Sequence, residues 1–277
     1  MAVQMKEESF AGTGGKIAYR SWLPEGAPKA VIVFCHGFNA HSGYFGWPGE
    51  KEAARGYAVY AADLRGRGKS DGTPRFYIDD IAEYTSDLGG MVKLAKSRHP
   101  GLKVILMGHS AGGVTAVVYA LDNQKELAGL VCISFAYRVP APMAALNLIG
   151  FVSRFLPKLP ILALKNSDFS RDKQHVARMD ADPLIKNEKQ PAKTLFALGA
   201  AGARMHRDFP TMTIPVLIMH GSEDHATLPI GSQEFFDRAG SKDKQLKIYP
   251  GNYHDLLNDV GKEQVLADID TWIDQHV

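Results

Sequence analysis

The ten residues Val104-Ile-Leu-Met-Gly-His-Ser-Ala-Gly-Gly113 constrain the fold of this chain more than any other stretch, because an apolar run breaks there into a helical one with Ser110 at the break. Val104 to Met107 is short and contains β-branched residues, which fits a strand covered on both faces. Val114 to Leu121 continues with helical length and no Gly or Pro. The turn between them, Gly108-His-Ser-Ala-Gly112, has the G-x-S-x-G spacing. A serine held on so sharp a strand-to-helix turn adopts a strained backbone, and the glycines remove Cβ atoms that would clash with neighbouring strand and helix. Its hydroxyl then stands at the carboxyl edge of a sheet, over the positive end of the following helix. Three fixed positions are a weak signal in a chain with 27 glycines, and a turn that merely packs a strand on a helix has the same pattern. The surroundings must discriminate.

Apolar runs at Ala30–Cys35, Ala58–Ala62, Leu127–Ile133, Pro215–Met219 and Leu246–Tyr249 alternate with helical stretches. Tyr44–Arg55 reads as a short helix stopped by Gly56, and Asp79–His99 as a longer one that opens on acidic and closes on basic residues. This alternation predicts an α/β fold, a mostly parallel sheet with helices on both faces and right-handed crossovers. Lys16 to Trp22, after Gly12-Thr-Gly-Gly15, predicts an antiparallel pair at the sheet edge. Residues 137–208 break the rhythm with no convincing strand and an apolar, proline-punctuated stretch from Met143 to Leu164. They are expected to form a helical cap inserted into a catalytic core of residues 1–136 and 209–277. Arg154, Lys158 and two prolines make the stretch too interrupted for a membrane span. Ordinary packing onto the sheet is one reading of such an apolar face. A lipophilic substrate site or membrane-surface contact is the other, and part of the stretch, Phe151 and Phe155 included, is expected to line an acyl pocket above Ser110.

Charge excludes one class of partner. The chain of 277 residues carries 32 Lys and Arg against 30 Asp and Glu, with no run of five or six like charges, so no nucleic-acid role is expected. The two cysteines, Cys35 and Cys132, end apolar strands and read as small buried hydrophobes. No Cys/His spacing suggests a metal, and no cofactor is expected. The polar opening Met1-Ala-Val-Gln-Met-Lys-Glu-Glu-Ser-Phe10 lacks the apolar core of a secretory signal, which points to the cytoplasm.

A serine hydroxyl is a poor nucleophile at neutral pH and needs a base, which in turn needs an orienting acid. The run Pro215–Met219 ends in His220-Gly-Ser-Glu-Asp224, and Leu246–Tyr249 ends in Pro250-Gly-Asn-Tyr-His254. In a parallel sheet both loops reach the edge that carries Ser110, in the order Ser, Asp, His. Ser110, Asp224 and His254 are therefore the expected nucleophile, acid and base, with Glu223 as the alternative acid. His36 is expected to brace its loop and His109 to point away from the nucleophile. His225 adjoins the acid too closely to approach from a separate strand. The oxyanion requires two fixed N–H donors, expected at the backbones of Phe38 and Ala111.

At these residues the chain resembles the serine α/β-hydrolases, and within them the monoacylglycerol lipase-like and lysophospholipase-like esterases. The resemblance runs through His36-Gly-Phe38, His41-Ser-Gly43, Asp63-Leu-Arg-Gly-Arg-Gly-Lys-Ser70, the Ser110 turn, Asp182-Pro-Leu184, His220–Asp224 and Lys247–Asn258. It implies a helical cap over the site and hydrolysis of small-molecule monoesters of fatty acids. Members that grip glycerol do so with an acidic residue, an arginine and a second histidine, and the matching positions here are Ala40, Tyr44 and Leu257. Tyr44 and Leu257 are thus expected beside the alcohol group, with little polar grip on it. Lactone opening, perhydrolysis and carbon–carbon bond hydrolysis are alternative chemistries of the same fold, and a non-catalytic binding protein is the alternative of another class. Epoxide hydrolases and dehalogenases are disfavoured because they carry aspartate where Ser110 stands.

Overall fold

Why the apolar runs are continuous rather than alternating is answered by the sheet, which is covered on both faces. The structure, a computed structural model, describes residues 3–277; Met1 and Ala2 of the polar opening lie outside them. Gln4–Gly12 (β1) and Gly15–Leu23 (β2) form the expected antiparallel pair. Val31–Cys35 (β3) follows, then a 3₁₀ turn over Ser42–Phe45, the helix Gly46–Ala54 (α1) and Ala58–Ala62 (β4). Gly56, at φ 98°, makes the left-handed turn that ends α1 and starts β4. Ile81–Arg98 (α2) begins at a capping box, with Asp80 accepting from the Ala82 N–H and Glu83 reaching back to the Asp80 N–H. Val104–His109 (β5), Ala111–Asn123 (α3) and Gly129–Ile133 (β6) come next.

After the intervening segment, Val216–Gly221 (β9), Pro229–Arg238 (α7), Lys244–Tyr249 (β10) and Lys262–His276 (α8) complete the chain. The strand order is β1-β2-β4-β3-β5-β6-β9-β10, and only β2 runs against its neighbours. Val31, Val33 and Cys35 face one core with residues of α2 and α3, while Ile32 and Phe34 face the other with α8, so β3 is apolar at every position. Both cysteines are buried and free, and burial pushes their thiols well above the ordinary range.

Between β6 and β9 lie Met143–Phe155 (α4), Pro160–Leu162 (β7), Lys173–Ala181 (α5), Gln190–Pro191 (β8) and Ala192–Asp208 (α6). The β7 and β8 pairing corrects the expectation of no strand here. It escapes periodicity because the strands are three and two residues long, with Pro160 and Pro191 at their paired positions. The last helix returns to the sheet, with Ala197, Ala201 and Met205 of α6 buried in the main core. No helix among the described residues is long and apolar enough to cross a membrane.

Candidate active site

Ser110 sits where β5 gives way to α3, at φ 58° and ψ −124°, a conformation that side chains rarely adopt. The surrounding backbone holds it there. The Ser110 N–H donates to the Ile133 carbonyl at 3.0 Å, and its own carbonyl accepts from Gly113 and Ala136. A Cβ on Gly108 would stand 2.6 Å from the Gly112 oxygen, and one on Gly112 would stand 2.3 Å from the Cys35 oxygen. Both glycines are required by close approach, as the spacing implied.

β9 carries Asp224 and β10 carries His254 to the same edge. Asp224 Oδ2 lies 2.7 Å from His254 Nδ1, and both side chains are fully enclosed. Asp224 Oδ1 accepts from the backbone N–H groups of Ala226 and Thr227, each at 2.8 Å. Burial alone would raise the Asp224 carboxyl, but His254 and His220 hold it well below the ordinary carboxylate range. With Nδ1 donating to that carboxylate, Nε2 carries the free lone pair, and it is buried without a hydrogen-bond partner. The ring is also fixed from behind. Phe169 packs edge-on against it at 4.9 Å, and His109 Nε2 meets the His254 carbonyl at 3.2 Å. That last contact docks the His254 loop onto the strand that leads to Ser110.

Glu223 is exposed and directs only its backbone N–H inward, to the Asn252 carbonyl. His36 braces its loop as expected: Leu64 N–H donates to Nε2 at 3.0 Å and Nδ1 donates to the Gly37 oxygen at 2.8 Å. Burial pulls both His36 and His109 down to about 4. His225 instead packs on Tyr253. Gly37 passes close over Ser110, since a Cβ on it would lie 3.1 Å from Ser110 Oγ. The backbone N–H of Ala111 belongs to the first turn of α3, where no preceding helical carbonyl is available. Among the described residues no three His, Cys, Asp or Glu side chains are grouped to hold a metal ion.

Four expected substrate contacts fare differently. Tyr44 is half-buried, donates its hydroxyl to Asp182 at 3.1 Å and packs edge-on against His41 and His175. Phe151 and Phe155 do not line an enclosed pocket. They are 62% and 69% exposed and pack on each other at 5.2 Å, because α4 turns its apolar side outward. Leu257 is 2% exposed and lies in the core with Phe34, Phe45 and Leu256. Two partners of Asp224 were missed: His220 Nε2 at 3.0 Å and the Thr227 hydroxyl at 2.7 Å. The signal for His220 was its place at the end of β9, four residues before Asp224.

The serine aminopeptidase family S33 matches residues 26–261. Monoacylglycerol lipase of Mycolicibacterium smegmatis is 34% identical over 277 residues, covering 98% of each chain. Human monoglyceride lipase is 32% identical, over 92% of this chain and 86% of its own. The crystal structure of a monoacylglycerol lipase from Paleococcus ferrophilus superposes with a TM-score of 0.83 at 26% identity, and each chain is covered completely. With the family matched along most of its length and relatives alike from end to end, the chain belongs to the serine aminopeptidase S33 family of α/β-hydrolases, as a monoacylglycerol lipase-like carboxylic ester hydrolase.

Proposed function

We propose that the protein hydrolyses fatty monoesters, monoacylglycerols among them, through an acyl-enzyme on Ser110. The observation that carries this reading is a buried His254 held on Asp224 by Nδ1, with Nε2 unpartnered at the edge where Ser110 stands. His254 Nε2 takes the Ser110 proton as Oγ bonds to the ester carbonyl carbon, and the Phe38 and Ala111 N–H groups receive the negative charge on the carbonyl oxygen. Collapse breaks the bond to the alkoxy oxygen, which leaves with the proton from His254. Water then repeats the sequence on the acyl-enzyme and returns the acid and free Ser110. Asp224 stays ionised and stabilises the imidazolium formed in each half.

Residues 137–208 act as a cap in this reading, and the exposed apolar side of α4 meets a lipid surface from which the substrate is drawn. Met143, Leu148, Phe151, Phe155 and Leu156 all stand more than half exposed, which supports an interfacial face over further pocket lining. The head group contributes little. Ala40 is apolar, Leu257 lies in the core and the Tyr44 phenol is already bonded to Asp182.

The test is kcat/KM across p-nitrophenyl, alkyl and glyceryl esters of increasing acyl length, alongside labelling by a fluorophosphonate. Specificity should rise from acetyl to medium-chain esters, at roughly fourfold per buried methylene until the acyl site is full. A glyceryl ester should fall within tenfold of the alkyl ester of equal chain length. Highest activity on acetyl esters, or no fluorophosphonate labelling at Ser110, would contradict the proposal.

A further inference from the structure

An ion pair that belongs to no part of the mechanism above is buried on both sides. Glu188, between α5 and α6, and Arg67, in the loop after β4, are each 1% exposed and joined through Arg67 Nη1 and Glu188 Oε1. Isolating such a pair from water is costly and repays only where its remaining polar atoms are satisfied. Here that condition is met at one carboxylate oxygen, Oε1, while Oε2 is buried without a hydrogen-bond partner. Glu188 Oε1 also accepts the backbone N–H of Asn39 at 3.0 Å and Gln190 Nε2 at 2.6 Å. Arg67 Nη2 donates to Gln190 Oε1 at 2.8 Å, and Nε donates to the Tyr84 hydroxyl at 2.8 Å. The guanidinium lies 4.4 Å from the centre of the Phe38 ring.

The pair therefore grips two consecutive residues, the side chain of Phe38 and the backbone of Asn39. Asn39 is itself in the left-handed region, at φ 48°, which a short polar residue tolerates, and its side-chain amide is bonded to Leu164 O and Asn166 Oδ1 in the same inserted segment. Fixing the Asn39 N–H fixes the plane of the peptide after Phe38. Fixing the Phe38 ring fixes the residue between that plane and the preceding one, which carries the Phe38 N–H. A hydrogen bond that supports charge in a transition state loses its value within a fraction of an ångström, so its donor must be held before the reaction.

We infer that Glu188 and Arg67 are positioning residues that let the inserted segment aim the Phe38 N–H at the carbonyl oxygen of the substrate. This rests on the acyl-enzyme reading with Phe38 as an oxyanion donor. Charge balance explains the partnership. A bare carboxylate one residue from the oxyanion would oppose the developing negative charge, and the Arg67 guanidinium cancels it at the same Oε1 that accepts the Asn39 N–H. Because the three contacts converge on Oε1, a glutamine at position 188 can keep the Asn39 and Gln190 bonds with its carbonyl oxygen.

The experiment measures kcat and KM on p-nitrophenyl butyrate, the inhibition constant of an alkyl trifluoromethyl ketone, and the melting temperature. The ketone forms a tetrahedral adduct with Ser110 whose oxyanion needs the same donors. Glu188→Ala should lower kcat about 30-fold or more with KM within about threefold, and should weaken the ketone in the same proportion, a loss approaching that of an oxyanion donor. Glu188→Gln should return both to within about fivefold of the starting protein. Arg67→Lys keeps the charge but loses the flat contact with Phe38 and the bond to Gln190, and should cost about tenfold in both measurements. If Glu188→Ala shows no cooperative melting, Glu188→Gln and Arg67→Lys decide the matter. Unchanged kcat and ketone affinity in the folded variants, or a fall in melting temperature alone, overturns the inference. A starting protein that neither reacts with a fluorophosphonate nor binds the ketone overturns the acyl-enzyme reading instead.

Discussion

Two helices of thirteen residues, α3 and α4, are both strongly apolar, yet ten residues of α3 are buried and only Ser153 of α4 is. α3 leaves the centre of the sheet at Ser110 and is covered by α2 and α6, so its valines and alanines have nowhere to go but the core. α4 leans chiefly on α6, where the Phe196 ring comes within 3.5 Å of the position of a Cβ on Gly150, and most of its residues are exposed. Apolar composition thus serves two purposes here. In α3 it holds a strained serine against a rigid sheet, and in α4 it leaves an exposed apolar surface.

The sharpest test of the first region is removal of the Ser110 hydroxyl. Ser110→Ala should reduce kcat by about 10⁴ to 10⁶ with the cooperative unfolding transition preserved, and Asp224→Asn by about 10⁴ with KM little changed. Steady-state kinetics on purified protein check both. More than a few per cent residual activity in Ser110→Ala would remove the distinction between the two helices.

The buried side should also respond to acid. His36 and His109 have folded values near 4, because burial disfavours their charged forms, whereas an unfolded histidine titrates near 6.5. Below pH 6.5 the unfolded chain therefore binds protons that the folded chain refuses until about pH 4. Stability should be fully present above pH 6.5 and fall through that window, by about 1.4 kcal/mol per pH unit for each histidine. Asp224 and Asp255, whose carboxyls burial would raise but neighbouring histidines lower, add their own loss only below the ordinary carboxylate range. Urea unfolding at pH 7, 6 and 5 measures this; a flat midpoint across the series would contradict it.

The smallest effect belongs to α4. Replacing Phe151 and Phe155 by serine should reduce the fraction bound to phosphatidylcholine vesicles about tenfold, while kcat on a soluble butyrate ester changes less than threefold. Flotation assays and kinetics on the same preparation separate the two. Equal vesicle binding by the variant and the starting protein would show that the exposed aromatic pair is not an interfacial contact.

Much of the core was determined by local sequence. The strand runs, the glycines flanking Ser110, the capping box at Asp80 and Glu83 and the loops ending in Asp224 and His254 are signals of a few adjacent residues, and a parallel sheet brings its loops to one edge without further instruction. Tertiary structure decided the rest. Position alone could not say that Asp224 would be shared with His220 and Thr227, nor that Glu188 would meet Arg67 across 121 residues of chain. Nor could it tell Leu257 in the core from Phe151 on the surface, since both are apolar residues in helical segments. The reason is physical. An apolar side chain is stabilised by any water-free surface, so its sequence sets how strongly it seeks burial, and only the packing of distant elements sets whether a surface is there to receive it.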